Sequence, residues 1–142
     1  MAPTEISEEK IRAYKATHYR AVSGPDVLVL RIGQYSPALA LRYAANGSDC
    51  ALFITAFNPL GQGQNDAANK EAHARLSETL RPLASAIMEG EGSDPSGKWR
   101  PEKSYLAFGI DIDDARELGS HFRQDAVVWI GMDAVPQLLL LR

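Results

Sequence analysis

The stretch Cys50-Ala51-Leu52-Phe53-Ile54-Thr55-Ala56-Phe57-Asn58-Pro59 decides how the rest of the chain is read. Between Cys50 and Phe57 only Thr55 is polar. A run of this length and composition is that of a central strand covered on both faces. Asn58-Pro59 stops it, because proline cannot donate to a ladder and biases the residue before it. Upstream, Asp26 to Ile32 is a second strand, rich in β-branched and apolar residues. Between the two, Ser36-Pro37 opens a helix with Leu39 and Tyr43 on one face, and Asn46-Gly47 closes it. A strand-helix-strand unit predicts a parallel pair with a right-handed crossover. Further upstream, Ser7-Glu8-Glu9 starts a helix with a capping hydroxyl and first-turn acids. Ile11, Tyr14 and His18 share one of its faces, and Gly24-Pro25 ends the segment.

Downstream, a polar loop from Leu60 to Asn65 leads to a helix capped by Asp66. Ala72, Leu76, Leu80 and Leu83 are compatible with its buried face, and Pro82 ends it. Ser85–Met88 is a short strand, 89–100 a glycine-containing loop, and Ser104–Ile110 another strand. Asp111 or Asp113 caps a helix carrying Ala115, Leu118 and Phe122. Ala126–Ile130 and Leu138–Leu141 are strands, joined through a turn at Gly131-Met132-Asp133. The expected order is α-β-α-β-α-β-β-α-β-β, an α/β chain bordering on α+β. It is expected to form a single mixed sheet with helices packed on it.

The chain has 142 residues, a length that suits one globular domain spanning 1–142. Its net charge of −3 excludes a basic nucleic-acid arm, so no nucleic-acid polymer is expected as partner. A single cysteine, Cys50, excludes an internal disulfide framework. Met1 to Lys10 is polar and lacks the basic-then-apolar pattern of a signal peptide. No run approaches the roughly 18 apolar residues of a membrane span. A cytoplasmic location, away from membranes, is the expectation.

Three places could carry chemistry. At the first, the apolar strand delivers Thr55 and Asn58 to a sheet edge of the kind where ligands bind. Gly61 and Gly63 would let backbone approach an anion near the start of the next helix, and Gln62, Gln64, Asn65 and Asn69 add neutral hydrogen-bonding groups. Ordinary turn chemistry explains the same residues, and neither dinucleotide nor P-loop phosphate fingerprints are complete. At the second, Trp99 beside Arg100 could stack a planar ligand, and Glu102 could act as general base. The plainer reading is a loop whose Trp99 plugs the core edge. The third is the acidic stretch 89–117, whose Asp111, Asp113 and Asp114 stand where a helix start favours acids without any metal. His18, His73 and His121 have no zinc-ligand spacing, so no metal site is expected, and the sequence names no cofactor. Cys50 reads as a packed thiol.

Several of these stretches, taken in order, resemble one family. They are Leu30-Arg31-Ile32-Gly33, Phe53 to Pro59, Gly90-Glu91-Gly92, Trp99 with Glu102 and Ser104, Gly109-Ile110, and Phe122-Arg123-Gln124-Asp125-Ala126-Val127. The set is similar to the small bacterial family known as domain of unknown function 3293, over about Tyr14 to Arg142. Two departures from the family's pattern are Asp125, where asparagine is usual, and Leu60-Gly61-Gln62, where a serine more often follows Asn-Pro. The resemblance implies a bacterial, stand-alone protein and supplies no activity. Asn58, Asn69, Trp99, Glu102, Ser104 and Gln124 match the family's polar and aromatic positions, which favours a shared pocket.

The leading expectation is therefore a pocket at strand ends for a small anionic or nucleotide-like ligand. It is built from Thr55, Asn58, Gln64, Asn69, Trp99, Ser104 and Gln124, with Arg31 neutralising an anion and Glu102 as the candidate catalytic base. Whether it turns a substrate over is left open. The alternative is a non-catalytic interaction module or homo-oligomer without a small-molecule site, exposing its amphipathic first helix and the strand Leu138–Leu141, which could pair with a second copy. The pocket requires Asn58 and Trp99 to converge within roughly 10 Å, the span of a small ligand.

Overall fold

The computed structural model describes residues 4–142. Of the polar amino-terminal stretch, Met1 to Pro3 lie outside the described residues. Four helices and seven strands follow in the order α1 (Glu8–Ala16), β1 (His18–Ser23), β2 (Asp26–Leu30), α2 (Pro37–Asn46), β3 (Ala51–Ile54), α3 (Asp66–Leu80), β4 (Ala86–Ser93), β5 (Glu102–Phe108), α4 (Ile112–His121), β6 (Ala126–Ile130) and β7 (Pro136–Leu140). The strands make one sheet in the order β2-β1-β4-β5-β3-β6-β7, with helices packed on it: a mixed α/β fold. The short 3-10 turn Pro59–Gly61 precedes α3.

The apolar run quoted first is β3, and it does lie inside the sheet, buried along its whole length between β5 and β6. The expected parallel pair is not formed. Every registered pair is antiparallel, and β2 lies at the far edge of the sheet from β6 and β7. The reason is a strand hidden in what looked like helix. Residues 18–23 alternate, with Tyr19 and Ala21 buried and Arg20 and Val22 exposed, which is a strand's period of two. Gly24, with φ of +59°, supplies the positive φ of a two-residue hairpin turn rather than a helix stop. β2 is thereby used up in pairing with β1, and α2 connects two strands that are not neighbours.

Other local corrections are smaller. β4 continues to Ser93, so residues 89–93 of the expected glycine loop are strand. Asn65, not Asp66, caps α3, its side-chain oxygen accepting from Ala68 N at 2.8 Å. Leu83 lies beyond that helix and is exposed. The other caps are as read: Ser7 for α1, Ser36 for α2 with Gly47 left-handed at its end, and Asp111 for α4. Cys50 is partly buried just before β3, and burial pushes its thiol up from the usual range, so it is a packing thiol.

Each sheet face carries its own core. Leu52, Ile54, Tyr105, Ala107, Val127 and Leu139 pack with α3 and α4 through Ala72, Leu76, Leu80, Ala115 and Leu118. Tyr19, Phe53, Leu106, Phe108, Val128 and Ile130 point to the other face, with Leu39 and Tyr43 of α2. The sheet curls round this second core. Beyond β2, Gly33 N donates to Pro136 O (2.9 Å) and Ser36 N to Ala134 O (2.9 Å), so its two outer strands almost meet. Large side chains such as Leu30, Leu39, Phe108 and Ile130 fill one end of the curl. At the other end the inward positions are Gly92, Ser104, Thr55 and Ala126, too small to fill the space, and a cavity remains.

Candidate functional site

The cavity encloses about 440 Å³ and is walled by the inner sheet face, α1 and the loop before β5. Helix α1 contributes Lys10, Ala13, Tyr14 and Thr17, spaced one turn apart on its inner side. Tyr19, Phe53, Phe57 and Trp99 add aromatic surface. The Tyr19 and Phe53 rings meet edge to face at 5.2 Å, and Tyr19 donates from its hydroxyl to Tyr14 O at 2.7 Å. Phe53 lies tight against Gly90: a Cβ there would stand 2.8 Å from the ring and 2.9 Å from Arg20 O.

The polar wall is built on the Asn-Pro corner. Asn58 is left-handed (φ 49°, ψ 64°), an arrangement that costs about 1–3 kcal/mol for a residue other than glycine. A reciprocal amide pair holds it there. Asn58 N donates to Asn69 Oδ1 (3.0 Å), and Asn69 Nδ2 donates to Asn58 Oδ1 (3.1 Å). Gln64 completes the clamp, its backbone N donating to Asn58 Oδ1 (3.2 Å) and its Nε2 to Asn69 Oδ1 (2.7 Å). Asn69 is reached from α3 and is only 5% exposed. So fixed, Asn58 Nδ2 donates to Glu102 Oε2 at 2.8 Å.

Glu102 opens β5, half-buried on the cavity wall. Burial pushes its carboxyl above the ordinary range, and the Asn58 hydrogen bond and the Lys10 charge only partly oppose this. Asp125, 2% exposed, has the opposite fate. Burial alone would raise it, but Lys10 and Arg142 both pair with its carboxylate and hold it below the usual range. Gln124 donates from Nε2 to the carbonyls of Phe57 (3.2 Å) and Phe122 (3.3 Å), fixing the corner to the end of α4. Thr55 donates to Lys103 O (2.7 Å) and Ser104 to Glu102 O (3.0 Å).

Of the residues singled out in the sequence, Thr55, Asn58, Trp99, Glu102, Ser104 and Gln124 line this one cavity. Gln64 and Asn69 stand behind it as the supports of Asn58. Arg31 does not join them: it lies beyond β2, outside the lining, and the cationic side chains at the cavity are Lys10 and Arg100. Sequence reasoning missed Lys10, Tyr19, Phe53 and Asp125 as wall residues. The alternation of 18–23 and the spacing of Lys10, Tyr14 and Thr17 were the signals for two of them. A second depression, of about 470 Å³, lies on the outer face beside His73 and Tyr105. Its rim is a ladder of exposed charges, Arg20 opposite Glu91 and Glu91 opposite Lys103. The acids of the 111–114 segment cap α4 and occupy its first turn, away from both cavities.

A family model described as "Protein of unknown function (DUF3293)" matches residues 54–127, more than half of the chain. The chain belongs to this family. The matched span runs from the end of β3 to the start of β6, and in this DUF3293 chain it holds every expected site residue except Arg31. No curated protein and no solved structure matches the chain. Among the described residues of this DUF3293 domain, no helix is long and apolar enough to cross a membrane.

As chemistry, the arrangement offers one carboxyl of raised pKa against apolar walls, oriented by a fixed amide. That is what acid–base work or the reading of a ligand's N–H groups requires. Among the described residues, none of the hydroxyls lining the cavity (Tyr14, Thr17, Tyr19, Thr55 and Ser104) hydrogen-bonds to that carboxylate.

Proposed function

We propose that this protein binds a small, flat, nucleotide-like metabolite in the cavity between α1 and the inner face of the sheet. The observation that carries this reading is the strained Asn58, held by Asn69 and Gln64 so that its amide meets Glu102. A fold has no need of such a clamp beside unfilled space, and strain of this kind collects at ligand sites. The volume of about 440 Å³ is within the range of small-molecule pockets. Trp99, half-buried, offers the ring face for stacking, worth about 1–3 kcal/mol. Arg100, exposed on the same loop and paired only loosely with Asp66 at 3.9 Å, is placed for an anionic group at the mouth. Binding without turnover is the version favoured, because none of the described cavity hydroxyls is paired with the Glu102 carboxyl.

Tryptophan fluorescence tests it. The protein has two tryptophans, and Trp129 belongs to the opposite face, its indole donating to Ile110 O at 2.9 Å. Titration with nucleoside monophosphates and small aromatic acids is expected to change the emission of the native protein with saturation below about 1 mM, corresponding to roughly −4 kcal/mol. The same titration of Trp99→Phe is expected to give no such change. A panel that leaves Trp99 unperturbed throughout rejects the reading.

A further inference from the structure

Hydrogen-bond accounting round the cavity gives the ligand's polarity. Thr55 and Ser104 both direct their hydroxyl protons to backbone carbonyls, so towards the cavity they can only accept, Thr55 with the one lone pair that Phe57 N leaves it. The NH2 of Gln124 is engaged by two carbonyls, which leaves its oxygen. The NH2 of Asn58 gives one hydrogen to Glu102 and the ammonium of Lys10 gives one to Asp125, so each keeps a further N–H. Glu102 is acceptor-only while ionised. Its Oε2 receives Asn58, and among the described residues no hydrogen bond reaches Oε1. Beside the Glu102 carboxylate the wall therefore offers the accepting oxygens of Thr55, Ser104 and Gln124.

Resting on the binding reading above, we infer that the Glu102 wall of the cavity recognises a planar group bearing two adjacent N–H donors, of the guanine N1–H and 2-amino kind, with Glu102 as the acceptor. An anion against Glu102 would meet the carboxylate, so the anionic part of the ligand lies towards Arg100 at the rim. The carboxylate suits this role because it is fixed before the ligand arrives, by an amide that is itself clamped, so little ordering is left to do on binding. Aromatic walls exclude competing water and raise the value of each hydrogen bond. Removing one of the two donors from the ligand leaves an acceptor buried and unpaired, and the site discriminates against it.

Calorimetric titration of the full chain with guanosine, inosine and xanthosine monophosphates tests this. These differ at the 2-position, which carries an amino group, a hydrogen and a carbonyl respectively. Guanosine monophosphate is expected to bind about 10-fold more tightly than either of the others. In Glu102→Gln, which can still accept from Asn58, that preference is expected to fall to within about 3-fold. Equal affinities in the native protein, an unchanged preference in Glu102→Gln, or no binding of the guanine nucleotide would overturn the inference. If flat ligands still act on Trp99 while showing no 2-amino preference, only this inference falls; if nothing acts on Trp99, the binding reading falls as well.

Discussion

Asn69 shows how much a single amide can carry. It sits on α3, yet its partners Asn58 and Gln64 belong to the corner before that helix, and its burial means that water cannot replace it. Asn69→Ala would leave the Asn58 N–H and the Gln64 amide unpaired and release the strained backbone. It is expected to lower stability by about 2–3 kcal/mol in urea unfolding, with unchanged dependence on denaturant. Glu102→Gln should do the reverse. A carboxyl whose folded pKa is raised weakens the fold at pH values above it, and the penalty shrinks as pH falls through that value. The neutral variant is expected to melt no lower than the native protein at pH 7, and to lose the gain in stability that the native protein shows on mild acidification. A melting series between pH 7 and 5 checks both. The sequence made these residue types legible, since Asn-Pro, Asn69 and Glu102 stood out as polar groups flanking apolar strands. The reciprocal clamp could not be read, because it depends on a left-handed φ at Asn58 that proline's neighbours rarely adopt.

At the scale of elements, legibility followed the strength of the periodic signal. β3 and β6 are apolar enough to be read directly, and the caps of α1, α2 and α4 are local chemistry. β1 was not, because Ile11, Tyr14 and His18 continue a helical spacing across the real boundary at Thr17. Nothing in six residues of mixed polarity outweighs that spacing until β2 and β4 are there to pair with them. The same omission produced the false expectation of a parallel pair. β4 was cut short for a related reason: Gly90 and Gly92 resemble loop glycines, whereas Gly90 is a strand residue where a Cβ would collide with Phe53 and the Arg20 carbonyl. Gly90→Ala is expected to cost about 1–3 kcal/mol, since the backbone carbonyl cannot move aside as a side chain could. It should also weaken ligand binding by displacing the Phe53 ring, and thermal melting together with the fluorescence titration would separate the two effects.

For the molecule as a whole, Asp125 is the point where distant parts of the chain are joined. Lys10 reaches it from α1 and Arg142 from beyond β7, while its backbone carbonyl accepts from Leu141 N at 2.8 Å. Its folded pKa is depressed, so its contribution is complete above the ordinary carboxylate range and is lost as pH falls through the lowered folded value. Asp125→Asn is expected to lower stability by about 2 kcal/mol at pH 7, and to converge on the native protein at strongly acidic pH. Denaturation followed at pH 7 and at pH 3 distinguishes this from a uniform packing defect. Curling of the sheet has the same long-range character. No stretch of the sequence announces that the residues after β2 will bond to those before β7, because each strand alone is compatible with an open sheet.

Helix α1 closes the cavity without having one fully buried residue of its own, and the Lys10–Asp125 pair is its tie to β6. Loosening of that short segment would open a second way out beside the Arg100 rim, so the dwell time of a molecule inside depends on the latch as well as on the walls. Lys10→Ala should therefore speed escape in stopped-flow chase experiments about 10-fold while entry accelerates too, leaving the equilibrium constant nearly where it was.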